Sequence, residues 1–564
     1  MSSTSPHRLP LAGVLRLGRP SDIWFKPALS VVAAVAPPNL TLLALGRLDL
    51  AMYTMAGSLC ALYAHNRPYP ARARVLAWVV LGMVGGLAVA LLAAALTTSA
   101  VVLVTVGAVL AAVQKTVCDA TRIGPPGNVV LTFISSASLF APQTAGQLPG
   151  HLGLALAAGA WAWLVGMAPG LLRPHGPERR ATAQALNTAA AYAGTRGTAE
   201  GHARARAACA AAIHAAWQTL LAAGARPDPT RRALEQLLVR AEVALAAPAD
   251  TDPERLRGWA RELRGTGRVP RVEPPRESAD ELLGVAAEQA VPPRSLRHRL
   301  APLAPLAVRT ALGCALAGYA ALALGVGRPY WALVTAASLY QANVTLTWNR
   351  GVQRVVGNLV GVLVFAALAP LAHLHPAALV LCSLALNFGA EALIGRNYWL
   401  GSVCVTPMAL LITEFARSQN PAELITDRVV DTLVGALVGF AAAVAVTNRR
   451  AGDRLEHALT AANRARESAA RLLAEPRPAP RALESARRAL AAALVDLRAT
   501  ADAAAGEWWQ RALPGERVVL TEQAGHRTLA ATVRRQGLVP RDEDRDPAGD
   551  RGREPGRTTE DIRP

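Results

Sequence analysis

Long apolar stretches, separated by short polar turns, fill the first third and much of the later part of this chain. Residues 75–113 contain no ionisable side chain at all. A helix needs about 20 apolar residues to cross roughly 30 Å of hydrocarbon, so stretches of this kind predict membrane-spanning helices. We draw twelve apolar segments, at 27–45, 50–64, 75–96, 99–117, 127–142, 152–172, 301–325, 330–347, 355–373, 376–394, 398–414 and 429–447. Because 50–64 and 127–142 are short for a span, ten or eleven spans also fit the pattern.

The first six apolar segments and the last six share one plan. Residues 53–86 and 330–361 each show an aromatic start, a short apolar stretch, a basic turn and a glycine-bearing stretch. An even number of spans returns each copy to the side on which it started. The fold class that this predicts is all-α: a polytopic membrane protein with two tandem repeats of about six transmembrane helices, each followed by a cytoplasmic helical bundle.

The polar regions divide the chain into domains. The stretch "TRRALEQLLVRAEVALA" places Leu234, Leu238 and Ala241 on one helix face, which is typical of a helical bundle. The predicted domains are a cytoplasmic N-terminus (1–26), a first transmembrane repeat (27–174), a cytoplasmic helical domain (175–298), a second transmembrane repeat (299–448), a C-terminal cytoplasmic helical domain (449–540) and a disordered tail (541–564).

Charge and motifs then narrow the function classes. The net charge is +19, but the basic residues lie in loops beside the apolar segments, so the expected partner is the lipid bilayer and not nucleic acid. Their excess in alternate loops predicts that both termini and the central domain are cytoplasmic. No paired cysteines, nucleotide-binding loop or catalytic motif is present, so we expect no metal, no cofactor and no enzyme activity.

The stretch "TWNRGVQRVVGNLVG" at 347–361 places charge inside an otherwise apolar region. Arg350, Arg354 and Asn358 recur at every fourth position and would share one helix face. A neighbouring face carries Gln353, Gly357 and Gly361. Glycines at this spacing allow close helix packing in membranes. The arginines are either anchors at the cytoplasmic surface, which we favour for Arg350, or residues lining an anion route, which stays open for Arg354.

A second stripe of polar residues and glycines follows in the last apolar segment. Its members, spaced by four residues, are Asp427, Asp431, Gly435 and Gly439. The carboxylates could pair with Arg428 or Arg417, or bind a cation or proton. Strict alternation of the spans predicts that they lie on the outer side, opposite Arg354. Arg309, further upstream, either extends towards the head groups or faces the interior of the helices.

The sequence allows more than one role for several further residues. Asp119 follows the fourth segment, and Glu391 and Arg396 follow the tenth; ion pairing at the membrane surface is favoured over contact with substrate or protons. Thr406 and Pro407 mark a kinked, pore-lining helix or only a packing bend. Aromatic residues at segment edges are interpreted as interface anchors: Tyr330, Trp331, Trp348, Tyr398 and Trp399.

The later part of the chain resembles the fusaric-acid-resistance-like (FUSC) membrane transporters, relatives of aromatic acid exporters. The matching stretches are "YWALVTAASLYQANVTLTWNRGVQRVVGNLVG", "RNYWLGSVCVTPMALLITE" and "ITDRVVDTLVGALVG". The family pattern falls on Tyr330, Trp331, Arg350, Gln353, Arg354, Gly357, Gly361, Thr406, Pro407, Arg428, Asp431, Thr432 and Gly435. The resemblance implies export of aromatic or other small organic acids across the bacterial inner membrane. It is weak in the first half of the chain.

The leading hypothesis is a secondary exporter of small organic anions, because a guanidinium offers a forked pair of donors to a carboxylate. Proton coupling through Asp119, Glu391 or Asp431 is one option. An organic-anion channel and a membrane-anchored scaffold of the cell envelope are the alternatives. A homo-oligomer or an auxiliary envelope subunit is compatible with the glycine stripes.

Overall fold

The computed structural model describes residue 11 and residues 13–18, 24–195, 198–224, 228–265, 267–271, 300, 303–415, 419–446, 451–507 and 513–536. Over this part of the chain the secondary structure is helical and contains no strand, so the predicted all-α class is confirmed. The predicted tail at 541–564 and residues 272–299 lie outside the described residues.

In the described part of the chain, twelve apolar helical elements occupy the regions predicted to lie in the membrane, with α6 and its continuation α7 counted as one. The first group is α1 (Phe25–Ala44), α2 (Ala51–Ser58), α3 (Tyr69–Leu96), α4 (Ala100–Ala120), α5 (Val129–Leu139), α6 (Leu148–Met167) and the short continuation α7 (Pro169–Leu172). The second group is α12 (Ala304–Ala323), α13 (Tyr330–Leu339), α14 (Val344–Ala372), α15 (Pro376–Ile394), α16 (Tyr398–Glu414) and α17 (Pro421–Ala445).

Eight of these elements are long and apolar enough to cross a membrane: α1, α3, α4, the α6–α7 unit, α12, α14, α15 and α17. The other four, containing α2, α5, α13 and α16, are shorter. The protein is therefore a multi-pass membrane protein. Each group shows the same order of long, short, long, long, short and long elements. The tandem repeat itself stays a prediction.

Asparagine side chains fix where several helices begin. Asn343 Oδ1 accepts a hydrogen bond from the Leu346 N–H (2.8 Å), so α14 begins at Val344. Asn397 and Asn420 cap α16 and α17 in the same way. The predicted apolar segment 330–347 is therefore wrong as one unit. It contains the whole of α13, a short loop and the first turn of α14.

Helix α13 lies in the interior of the membrane region, because all ten of its residues are buried. It packs against α12, α14 and α17 of its own group and against α4 and α5 of the first group. Tyr330 stacks on Phe140 and Trp331 on Phe133, with ring centres 5.7 and 5.4 Å apart. The interpretation of Tyr330 and Trp331 as interface anchors is therefore wrong. A helix too short to span the bilayer brings its aromatic start into the core.

Two helical bundles lie outside the apolar elements. The central bundle contains α8 (Gly176–Ala193), α9 (Ala199–Ala222), α10 (Pro229–Ala246) and α11 (Pro253–Arg264), and the C-terminal bundle contains α18 (Ala451–Ala474), α19 (Pro480–Ala505) and α20 (Gly515–Arg535). They pack on each other, and Arg487 Nη1 lies 2.7 Å from Glu242 Oε2 across their contact. Both bundles therefore occupy one side of the membrane region, which we call the bundle side.

Candidate functional site

Polar and aromatic side chains from α13, α14, α16 and α17 meet inside the second group of membrane helices. We call this set the central polar layer and define it as Trp331, Arg354, Asn358, Tyr398, Thr406, Arg428, Asp431 and Thr432. Except for Tyr398, which is partly exposed, all of these side chains are buried. Burying charge inside a membrane protein is costly and is usually tied to a route or binding site, so this layer is the candidate site.

Arg354 points into this layer and not towards the membrane surface. Arg354 is only 3% exposed, and its Nη1 donates to the Tyr398 hydroxyl at 3.1 Å. The Arg354 Nε has no hydrogen-bond partner among the described residues. Arg350, one turn earlier, lies over the ring of the same tyrosine, with its Cζ 3.7 Å from the Tyr398 ring centre. Tyr398 is thus shared by two arginines and is not a simple interface anchor.

Asn358 connects three helices at the next turn of α14. Its Nδ2 donates to Thr432 Oγ1 of α17 at 2.8 Å, and its Oδ1 accepts from the Thr406 hydroxyl of α16. Thr432 in turn donates to the carbonyl of Arg428 at 2.7 Å. The three side chains satisfy one another, so they close the layer by a fully buried hydrogen-bonded junction.

Arg428 is the second buried cation in the layer, and it was not among the site residues predicted from the sequence. It is 1% exposed, and its Cζ lies 3.9 Å from the centre of the Trp331 ring. None of its three guanidinium nitrogens has a hydrogen-bond partner in the described part of the chain. Arg354 and Asp431 both act on it electrostatically. Both Asp431 carboxylate oxygens also lack a hydrogen-bond partner among the described residues.

The depth predicted for the α17 carboxylates is wrong for Asp431. The sequence places the start of the last apolar segment at residue 429, but α17 begins at Pro421. Asp431 therefore lies ten residues (431 − 421) into the helix, or about 15 Å along its axis. The next residue, Thr432, touches Asn358, so Asp431 is near the level of the Arg354 face and not on the opposite membrane surface. The hydrophobic pattern missed this depth because Glu423, Asp427 and Arg428 make the first two turns of α17 polar.

Asp427 lies one turn closer to the start of α17 and is paired there. Its Oδ2 is 2.7 Å from Arg328 Nη1, and Arg328 also donates to Gln419 Oε1. The sequence offered Arg428 or Arg417 as the partner of Asp427, whereas the structure shows Arg328. Arg417 lies outside the described residues. The ion pair thus joins the early part of α17 to the residues before α13, at the end of these helices that is far from the bundle side.

The glycine stripes hold the helices around the layer at close distance. A Cβ added at Gly357 would lie 2.6 Å from the Trp399 carbonyl oxygen, and one at Gly361 would lie 2.8 Å from Thr406 Cβ and 3.3 Å from Pro407 Cδ. In α17, the Cβ would lie 2.5 Å from the Ala332 carbonyl oxygen at Gly435 and 3.1 Å from Ala336 Cα at Gly439. The stripes therefore join α14 to α16 and α17 to α13.

The other residues named from the sequence lie outside the layer. Arg309 is buried at the start of α12, where its Nε and Nη2 donate to the Val446 carbonyl at 2.9 and 2.7 Å. Gln353 donates to the Val14 carbonyl at 2.9 Å, so it holds the N-terminal segment at 13–18 against α14. Arg309 thus binds the end of α17 and Gln353 binds the N-terminal segment, and the sequence pattern indicated neither contact.

The acidic residues near the bundle side do not reach the layer either. Asp119 pairs with Lys115, its neighbour one turn away, at 3.0 Å. Glu391 and Arg396 form no ion pair with each other in the described part of the chain, because Arg396 lies past the end of α15 and is exposed. The Arg396 carbonyl instead accepts a hydrogen bond from the Gly18 N–H at 2.8 Å.

A comparison with known protein families gives a match within the second group of membrane helices. Residues 315–442 match the sequence profile of the family described as fusaric acid resistance protein-like, so the resemblance is confirmed over that segment. This segment contains every residue of the central polar layer. The chain is also 27% identical, over 456 residues, to the uncharacterized membrane protein YvaC of Bacillus subtilis (strain 168); the alignment covers 73% of this chain and 70% of the relative. No solved structure matches the chain.

Proposed function

We propose that the protein is a secondary transporter that exports small organic acids, most of all aromatic ones, across a bacterial inner membrane. In this proposal it is not an enzyme, the bundle side faces the cytoplasm together with both termini, and the two groups of helices are tandem repeats. The match of residues 315–442 to a family of transporters supports the class. The cargo is argued below from the central polar layer.

The observation that carries the proposal is the environment of Arg428. A guanidinium buried in membrane without hydrogen-bond partners is unfavourable. Asp431 offsets part of its charge but makes no hydrogen bond to it, and an incoming carboxylate would supply the missing acceptors. The planar fork of Arg428 suits a carboxylate, and the cation–π contact with the Trp331 ring holds the guanidinium in place. Arg354 adds a second cation within electrostatic reach. One carboxylate would complement the two guanidinium groups, and the rings of Trp331 and Tyr398 beside them suit an aromatic body.

The hydrogen-bonded junction at Asn358 favours a transporter over a channel. Asn358, Thr406 and Thr432 are buried and bonded across three helices, so the layer is closed in this conformation. A channel needs a continuous open path, whereas a transporter opens its site to one side at a time. Gating of this junction, with the helices joined through the glycine stripes, would provide that alternation.

The test is uptake of radiolabelled benzoate, salicylate, phthalate and citrate into energised inverted membrane vesicles. The intact protein is compared with Arg428→Gln, Arg428→Lys and Arg74→Gln. Arg74 is exposed at the start of α3, so its loss removes the same charge away from the layer. All four proteins must reach the membrane in equal amount and show the same melting temperature within about 3 °C.

We expect uptake of at least one aromatic acid by the intact protein and by Arg74→Gln. Arg428→Gln should lose at least about tenfold, since a buried charge-assisted contact to a carboxylate is worth about 1.5–3 kcal/mol. Arg428→Lys should retain only part of the activity because it lacks the fork. Absence of uptake of all four acids, or equal uptake by Arg428→Gln, would overturn the proposal. Uptake that persists without any energy gradient would indicate a channel.

A further inference from the structure

A large cavity lies on the bundle side, away from the central polar layer. Its volume is about 550 Å³, which is in the range of small-molecule sites. The end of α4 from the first group of membrane helices and the start of α12 from the second form two of its walls. Helices α18 and α19 of the C-terminal bundle form another. The cavity therefore lies where both groups of membrane helices meet a helical bundle.

Cations predominate in the lining of this cavity. Lys115, Arg122, Arg309 and Arg454 contribute four positive charges, and the carboxylates there are Asp119 and Glu507. Asp119 is already paired with Lys115 at 3.0 Å. The lining thus carries a net charge of +2 (four cations minus two carboxylates), with the exposed Arg122 at its edge. A cleft with an excess of one sign of charge concentrates ligands of the opposite sign.

Arg309 gives this cavity a buried, ordered cation. It is 3% exposed, its Nη2 lies 3.6 Å from Glu507 Oε1, and it donates to the carbonyl at the end of α17. Next to Glu507, the Gly506 carbonyl accepts hydrogen bonds from the backbone N–H and the hydroxyl of Thr345, at 3.1 and 3.0 Å. The wall of the cavity is thereby tied to the first turn of α14, the helix that carries Arg354 and Asn358.

We infer that this cavity is a loading site that binds a small organic anion from the bundle side before it reaches the central polar layer. The carboxylate of the anion is held by Arg122 and by the net positive charge of the lining. This inference deepens the proposed function and rests on it for the class of cargo and the direction of movement. Binding in the cavity is nevertheless measurable without transport.

The experiment measures the charge preference of the cavity by thiol labelling. Ala503 of α19 lines the cavity, whereas Ala489 of the same helix is exposed and lies outside it. Ala503→Cys and Ala489→Cys are each made with Cys118→Ala, because Cys118 also lines the cavity. The full-length proteins in lipid nanodiscs react with an anionic and with a cationic methanethiosulfonate of similar size. The rate of the Cys118→Ala parent is subtracted, and melting temperatures verify folding.

We expect the ratio of anionic to cationic labelling rates to be about tenfold higher for Ala503→Cys than for Ala489→Cys. Adding Arg122→Gln should lower the ratio of the cavity variant and leave the control unchanged. Millimolar benzoate, phthalate or citrate should slow labelling of Ala503→Cys alone. Equal ratios at the two positions, or no slowing by any of the three anions, would overturn the inference.

The outcome is separable from that of the proposed function. Selective labelling and protection in a protein that transports none of the acids would support the anion site and reject export. Transport that persists while labelling at Ala503→Cys shows no charge preference would support export and reject loading through this cavity. Cavity and layer are therefore tested independently.

Discussion

The Cζ atom of Arg428 lies 3.9 Å from the centre of the Trp331 ring, and both side chains are buried inside the second group of membrane helices. The ring belongs to α13 and the cation to α17, so the pair forms only when these two helices pack closely. Gly435 makes this packing possible, since an added Cβ there would lie 2.5 Å from the Ala332 carbonyl oxygen. The relationship between the two residues therefore connects helix packing to the proposed cargo.

Replacing Trp331 with leucine removes the cation–π contact that holds Arg428 in position for the carboxylate. The KM for an aromatic acid should rise about five- to thirty-fold, because a desolvated cation–π contact is worth about 1–2 kcal/mol. Trp331→Phe retains a ring face and should have a smaller effect. The measurement is concentration-dependent uptake in inverted vesicles, with an aliphatic acid as the comparison. An unchanged KM for both acids in Trp331→Leu would show that the ring has no part in binding.

Gly435→Ala should prevent α17 from packing on α13. The new Cβ meets backbone oxygen, which cannot move aside as a flexible side chain can. We expect a melting temperature at least about 5 °C lower, or little folded protein in detergent. The matched control is Gly82→Ala in α3, where a Cβ would meet nothing within 4 Å and helix propensity favours alanine. Equal melting temperatures for the two variants would contradict this assignment.

Asn358→Ala should destabilise the junction between α14, α16 and α17. It removes two hydrogen bonds and leaves the hydroxyl of Thr406 without its acceptor, at a cost of about 1–3 kcal/mol. Thr426→Ala is the control, since the exposed Thr426 bonds only to the Ala422 carbonyl of its own helix. Thermal unfolding in detergent compares them. If Asn358→Ala unfolds at the temperature of Thr426→Ala, the junction contributes no stability.

The C-terminal bundle should lose stability in acid through His526. Burial, reinforced by Arg206 and Arg498, lowers the pKa of His526 from 6.5 to about 4. The folded state therefore binds this proton less readily than the unfolded state, and the contribution of His526 is lost as the pH falls from 6.5 towards 4. His526→Gln should flatten the fall in melting temperature over that range.

Other groups in the bundle also titrate in acid. The test is therefore the difference in melting temperature between His526→Gln and the intact protein at each pH. Burial opposes ionisation of Glu484, but Arg487 and Arg488 outweigh it and hold the pKa of that carboxyl below its ordinary value. His457→Gln removes an exposed histidine of α18 and should follow the intact protein at every pH. Parallel curves for His526→Gln and the intact protein would contradict the assignment.

The hydrophobic pattern was sufficient to predict the class of the fold and the location of the membrane helices. All twelve predicted segments contain a helix, because apolar length is a local property that a bilayer requires of each span. The same pattern misplaced boundaries where charge enters a helix. It interpreted the Arg350 region as a turn between spans and started α17 eight residues (429 − 421) too late.

The periodicity of single helices also indicated which faces would pack or carry charge. Spacing by four placed Arg354 and Asn358 on one face and the glycines on another, and the structure has these residues at helix contacts. It did not indicate that Asn358 meets Thr406 and Thr432, which lie 48 and 74 residues away. Which faces meet depends on how α14, α16 and α17 cross.

By itself, then, the sequence determined a membrane protein of apolar helices, a family resemblance over its later part and the faces on which polar residues lie. Only the tertiary structure decided that Arg428 stacks on Trp331, that Asp431 lies deep in α17 and that Arg309 lines a cavity beside the C-terminal bundle. The physical reason is that burial of a charge is a property of its surroundings. Neighbours from distant helices create those surroundings, and local hydropathy contains no record of them.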